Sequence, residues 1–500
     1  MNQTSNTAAV GKAPTGIPGL DSVARGGLPL GRTTMISGTA GSGKTIFGAQ
    51  FLLGGIEAGN EPGVLVTCEE RPVDLRQNLA GFGWNVADLE ARGLLGIVDL
   101  SPEPTEQMTA GTFDLEGLLT RITAMVRRLG ATRLVIDSLG AMFSQFRESG
   151  LVRWELFRIA AALREEGVTT LLTVERDAEY GEVSRYGVEE FVTDNVIVLR
   201  NVLEWENRRR TVEILKMRGV EHQKGEFPFT IRPQDGITVI PLASARLTQQ
   251  SSDTRATSGN SRLDEMCSGG FFRDSVVLVS GATGTGKTLM ANEFIAGGLR
   301  AGERCLFFGF EESQEQIFRN ARGWGIDLET KANEGLSHVT CAYPETMGLE
   351  DHLVAMKEHI EAFRPERLVV DSVSALERVA TPRAFREFII ALSAFIKERR
   401  IMGLYTAATP TLMGGSSVTE AHISTMTDTI ILLRYVEADS AVHRALTILK
   451  MRGCAHDKDI RRFTVDGSGM HIGDPFRGVE GILEGRPVHV TTGGEGEANP

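Results

Sequence analysis

One eight-residue pattern, Gly-x-x-x-x-Gly-Lys-Thr, occurs twice in this chain: Gly38-Thr39-Ala40-Gly41-Ser42-Gly43-Lys44-Thr45 and Gly281-Ala282-Thr283-Gly284-Thr285-Gly286-Lys287-Thr288. Each copy follows a β-branched, strand-like run and opens a helix-like one, the context in which backbone N–H groups of a glycine-rich loop close around phosphates. One match arises by chance; two in register do not. Lys44 and Lys287 are placed to reach the β/γ-phosphates of a nucleotide, and Thr45 and Thr288 to offer hydroxyls to Mg²⁺.

The repeat extends well past the loops. Glu69-Glu70 answers to Glu311-Glu312, Arg133 to Ser138 answers to Arg367 to Ser372, and Leu215 to Gly219 answers to Leu449 to Gly453. Asp371 lies 234 residues after Asp137, and Lys450 lies 234 after Lys216, so two homologous domains follow head to tail. Five hundred residues also suit two cores better than one. Ala243 to Ser261 is rich in Ser, Thr, Gln and Asn without apolar periodicity. We therefore expect domains at 1–247 and 261–485, a linker at 248–260 and a flexible tail at 486–500.

Within each half, runs such as 33–37, 64–68, 134–137 and 169–174 read as strands, and 118–129 and 154–166 read as helices. Their alternation predicts an α/β fold with a mostly parallel sheet flanked by helices. Asp137 and Asp371 end apolar strands about ninety residues past each loop, where a carboxylate can hold hydrated metal. Glu69, Glu70, Glu311 and Glu312 follow the preceding strand and are placed to orient an attacking nucleophile or take its proton. Lys216 with Arg218, and Lys450 with Arg452, are duplicated cations far from the loops in sequence; supplied by a neighbouring subunit, they would neutralise a transferring phosphoryl group.

Composition narrows the partners. A formal net charge of −12 and a pI near 5.4 give no broad basic surface for nucleic acid. The five cysteines are scattered without metal-ligand spacing, which suits buried thiols in a reducing cytoplasm. The polar start and the absence of an eighteen-residue apolar run predict no membrane segment.

Together these residues closely resemble the KaiC family, RecA-like ATPases and autokinases of the bacterial circadian clock. The resemblance runs from about Gly16 to Arg477, through stretches such as 157–164, 180–200, 261–272, 281–289 and 421–436. It implies two tandem RecA-like P-loop domains in a double-ring homohexamer, with ATP at subunit interfaces, a slow N-terminal ATPase ring and a C-terminal autokinase and autophosphatase ring. By resemblance the catalytic glutamates are Glu69, Glu70, Glu311 and Glu312, and the metal ligands are Thr45, Asp137, Thr288, Glu311 and Asp371. Further nucleotide contacts fall on Lys216, Met217, Arg218 and His222, and on Leu289, Trp324, Arg444, Lys450, Met451, Arg452, His456 and Lys458. The phosphate acceptors fall on Ser424 and Thr425, with Thr419 a third position. The repeat checks this independently: 234 residues before the acceptors stand Glu190 and Phe191, which have no hydroxyl. The first half should therefore use water as nucleophile.

The resemblance also implies a KaiB-like partner and a signalling histidine kinase as a further reader. Family members that bind the activator KaiA continue some twenty residues further, so KaiA binding is not expected. Two readings from other classes are a RecA/RadA-like DNA-dependent ATPase, opposed by the acidity, and a nucleotide-gated scaffold, opposed by the intact glutamates.

Overall fold

The computed structural model describes residues 10–101, 115–143, 149–204, 207–241, 251–409, 423–438, 440–477, 479–480, 482 and 488–489. The chain divides between Ser244 and Ala245 into two compact units. Each is an α/β domain built on a nine-stranded sheet.

In the first unit six neighbouring strands run parallel, in the order Asn195–Glu204, Thr33–Gly38, Thr169–Glu175, Arg133–Asp137, Gly63–Thr67 and Leu95–Asp99. Three antiparallel strands, Asn207–Met217, Glu226–Arg232 and Gly236–Val239, extend it on one side. The second unit repeats this arrangement around the strand Val276–Gly281, with Ala441–Met451, Arg461–Asp466 and Gly469–Pro475 as the antiparallel wing.

The parallel strands read as continuous apolar runs because both faces are covered. In Arg133–Asp137, Val135 packs into one core with Ile36, Phe47 and Phe51, while Leu134 and Ile136 join the other with Ile122, Leu156 and Ile159. The helix Leu115–Leu129 buries Leu118, Ile122 and Val126, one stripe at four-residue spacing. The helix read at 154–166 begins earlier, at Ser149–Glu165. Among the described residues, no helix is long and apolar enough to cross a membrane.

Part of the segment expected as a linker is paired. Arg255–Ala256 pairs with Phe271–Phe272, just as Lys12–Ala13 pairs with Leu28–Pro29, so this arm belongs to the second unit. Polar composition hid it, because the arm is held by backbone groups. Buried Arg367 donates to the Thr257 carbonyl at 2.7 Å and the Phe294 carbonyl at 2.9 Å. Arg133 does the same to Pro14 and Phe51, both at 2.8 Å. Each arginine needs a glycine beside it: a Cβ on Gly55 would sit 2.3 Å from Arg133 Nε, and one on Gly298 would sit 2.6 Å from Arg367 Cδ. Asn260 caps the next helix, Ser261–Met266, by accepting from the Arg262 and Leu263 amides. Within the expected tail, Val488–His489 pairs with Val479–Glu480, and the remainder of 486–500 lies outside the described residues.

Candidate functional site

Parallel register assembles the site at one edge of each sheet. Gly38 pairs with Glu175 and Thr67 with Asp137, so the loop, Asp137 and the Glu69-Glu70 pair all leave the C-terminal ends of strands in one parallel set, with Thr169–Glu175 between the loop's strand and that of Asp137. In the second unit Gly281 pairs with Ala408 and Gly309 with Asp371. This is the edge at which open α/β sheets bind ligands.

Each loop turns into its helix through a left-handed glycine, Gly43 at φ 99° and Gly286 at φ 109°, and the helices start at Lys44 and Lys287. Lys44 Nζ donates to the Gly38 and Thr39 carbonyls at 3.0 Å, and Lys287 Nζ to the Ala282 carbonyl at 2.9 Å. Burial lowers both ammonium pKa values, opposed by carboxylates that include Glu175 and Asp137 for Lys44, and Asp371 and Glu311 for Lys287. Thr45 Oγ1 donates to Asp137 Oδ2 at 2.6 Å, and Asp371 accepts from Thr288 and Thr406. Burial raises the Asp371 pKa. Such Thr/Asp oxygen pairs suit Mg²⁺, which takes one or two protein oxygens and completes its shell with phosphate and water. Among the described residues no cluster of three His, Cys, Asp or Glu could hold a metal alone.

The glutamates sit just beyond. Ser138 donates to Glu69, and Ser372 to Glu311 at 3.3 Å, while Arg378 reaches Glu311 at 3.1 Å. Burial and the Asp371 charge raise the Glu312 pKa, against hydrogen bonding from Asn320.

In the first unit a cleft of about 420 Å³ opens beside the loop, lined by Gly41, Lys44, Thr45, Glu70, Phe82 and Arg210 among others. Phe82 and Arg210 were missed in the sequence. Yet Glu70 precedes Glu312 by 242 residues, the same step separates Phe82 from Trp324, and 234 separates Arg210 from Arg444; carrying both steps backwards finds them. Trp324 caps the helix Gln314–Gly323 and packs on the second core. Arg444 lies over the Tyr435 ring, whose hydroxyl adjoins Gly284 of the loop. Glu179, also missed, accepts from Thr39 at 2.6 Å.

The remaining cations are not brought to the loop of their own domain. Lys216, Met217 and Arg218 end an antiparallel strand opposite Asn195, at the entry end of the sheet, and Lys450, Met451 and Arg452 do the same opposite Thr429. Lys216 donates to the Glu190 carbonyl and Arg218 to the Phe191 carbonyl; Arg452 donates to the Thr425 carbonyl and Lys450 to that of Thr427 at 2.8 Å. Asp194 and Asp428 anchor these ends through ion pairs with Arg218 and Arg452. Burial, reinforced by the neighbouring arginine, lowers the pKa of Lys216 and of Lys450.

Met217, Met451 and Leu289 bury their side chains in the cores, which leaves only their backbones to meet a ligand. His222 and His456 are half-buried and Lys458 is exposed, all on the segments that follow the two cationic strand ends. Thr425 is exposed in the short helix Ile423–Thr425 at the same entry end, and Ser424 lies in that helix. Thr419 lies outside the described residues.

Comparison with known proteins identifies the family. The family description "ATPase: KaiC" matches residues 13–244 and 256–476. The circadian clock protein KaiC3 of Synechocystis sp. is 58% identical over 97% of this chain and 96% of its own. The circadian clock oscillator proteins KaiC of Thermostichus vulcanus and Synechococcus elongatus are 52% and 50% identical, over 97% and 98% of this chain and 93% and 94% of theirs. With two P-loop domains, duplicated site geometry and near full-length identity, the chain belongs to the KaiC family of ATPases.

Proposed function

We propose that this chain is a clock-type ATPase and serine/threonine autokinase that works as a homohexamer, hydrolysing ATP in its N-terminal ring and phosphorylating Ser424 and Thr425 in its C-terminal ring. The observation that carries this reading is a separation. Val276 pairs with the Asp428 backbone and side chain at the entry end, while the loop starts at Gly281. At about 3.3 Å per strand residue, the sheet end that carries Asp428 and the start of the loop at Gly281 lie roughly 17 Å apart, and Thr425 stands three residues before Asp428. Phosphoryl transfer needs reacting atoms about 3 Å apart. An acceptor and its cations at one edge, with a nucleotide loop at the other, suit a ring in which each subunit's entry end meets its neighbour's loop.

In that arrangement Lys450 and Arg452 stabilise the transferring group from the neighbour, and Glu311 and Glu312 orient the hydroxyl or take its proton. Thr288, Asp371 and Glu311 would hold Mg²⁺, which would supply positive charge against the phosphates. Lys216 and Arg218 serve the first ring likewise, with water as nucleophile beside Glu69 and Glu70. Phosphates on Ser424 and Thr425 add nearly two charges each beside Arg452 and Asp428, altering the interface that a KaiB-like protein or a histidine kinase would read. The compartment we assign is the cytoplasm.

The test is intact-mass and phosphopeptide analysis after incubation with Mg-ATP. Phosphate is expected on Ser424 and Thr425, and none in Ser424→Ala/Thr425→Ala or Glu311→Gln/Glu312→Gln. ATP consumption without phosphate in the unaltered chain would reduce the reading to an ATPase with conformational output.

A further inference from the structure

The two glutamates of each pair have different anchors. The first of each, Glu69 or Glu311, is tied to the serine that follows the strand-end aspartate. The second is tied to an asparagine eight residues downstream. Asn78 Nδ2 donates to Glu70 Oε2 at 3.1 Å, and Asn320 Nδ2 donates to both Glu312 oxygens, at 3.3 and 3.1 Å. The duplication makes an incidental contact an inadequate account.

Each asparagine is itself held in place. Asn78 lies on the helix Pro72–Ala80, which buries Leu75 and Leu79; Asn320 lies on Gln314–Gly323, which buries Ile317 and Ala321. The second helix is pinned at its start by a capping box, with Ser313 Oγ accepting from the Gln316 amide at 3.3 Å and Gln316 Oε1 accepting from the Ser313 amide at 2.8 Å. Each asparagine therefore stands on a helix packed into the core, donating to a carboxylate that leaves a strand end, half-buried for Asn320 and Glu312 and exposed for Asn78 and Glu70. In the first unit, Glu70 and Asn78 line the same cleft as Lys44 and Thr45.

We propose that Asn78 and Asn320 are positioning residues that fix the rotamer of the second glutamate in each pair. Resting on the reading of the glutamates as catalytic, this assigns the asparagines to orientation and not to nucleotide affinity. A glutamate free to rotate would spend less of its time in the productive geometry. Leucine is the informative replacement, since it keeps the size of asparagine and removes the donor.

The full chain is assayed with the other ring silenced: Asn320→Leu in a Glu69→Gln/Glu70→Gln background, and Asn78→Leu in Glu311→Gln/Glu312→Gln. Phosphate release at saturating Mg-ATP and binding of a fluorescent ATP analogue are read together. Turnover should fall about tenfold, the worth of one hydrogen bond to a charged group, while affinity stays within about twofold. Adding Asn320→Leu to Glu312→Gln should cause no further loss, because the group it orients is already disabled. Unchanged turnover in Asn320→Leu, with Glu312→Gln inactive, would overturn the positioning role and leave the glutamate reading intact. Full turnover in Glu312→Gln would instead remove the glutamate reading. A loss additive with Glu312→Gln, accompanied by weaker binding and a lower Tm, would make the asparagine merely structural.

Discussion

If the sheet end that carries the acceptor and the loop of one domain are about 17 Å apart along the strand Val276–Gly281, no subunit can phosphorylate itself. Two variants separate the partners. Ser424→Ala/Thr425→Ala keeps the nucleotide site and lacks the acceptor; Glu311→Gln/Glu312→Gln keeps the acceptor and lacks the carboxylates. Each alone should remain unphosphorylated. Unfolded together, co-assembled in equal amounts and given Mg-ATP, they should form rings in which half the subunits carry an acceptor. Half of those should follow an active neighbour, so phosphate should reach about a quarter of all subunits, in a ring of head-to-tail contacts. Phosphopeptide analysis should find it only on the chain with intact Ser424 and Thr425. Mixed rings verified by native mass that carry no phosphate would refute transfer between subunits, whereas label in the carboxylate variant by itself would refute the role of the glutamates.

Other outcomes follow from the geometry. Arg367→Met should destabilise the second unit by about 1–3 kcal/mol in thermal unfolding, because Glu303, 5% exposed, keeps Arg273 but loses Arg367, and the Thr257 and Phe294 carbonyls lose their donor. Phe82→Ala and Trp324→Ala should each weaken nucleotide binding in their own domain by about 1–3 kcal/mol if an adenine stacks there, measured by calorimetry on variants with the other loop disabled. His352, buried against Phe310 with Nε2 3.1 Å from the Pro344 carbonyl, is held below the usual imidazole range by burial. The unfolded chain therefore binds more protons below about pH 6.5, so stability of the second unit should drop as pH falls through that value. His352→Gln should flatten this slope in denaturant titrations; an unchanged slope would show that other groups set it.

The duplicated loop was legible because Gly-x-x-x-x-Gly-Lys-Thr needs only local backbone freedom and a helix start, both written in adjacent residues. Strand-end Asp137 and Asp371 were legible for the same reason, as the last residues of apolar runs. The arm at 255–260 was not, since its hold comes from Arg367 more than a hundred residues away and from carbonyls that any sequence supplies. Phe82 and Arg210 were hidden only because the repeat was not carried backwards from Trp324 and Arg444.

The sequence by itself determined that there are two domains, that each carries the Gly-x-x-x-x-Gly-Lys-Thr loop, and that only the second carries hydroxyls at positions 424 and 425. These follow from residue identity and spacing. Strand order and the antiparallel wing were decided by the tertiary structure alone: six parallel strands gather loop, aspartate and glutamates at one edge, and the wing turns Lys450 and Arg452 to the opposite one. Hydrogen-bond register between strands distant in sequence fixes that separation, and no local pattern encodes it.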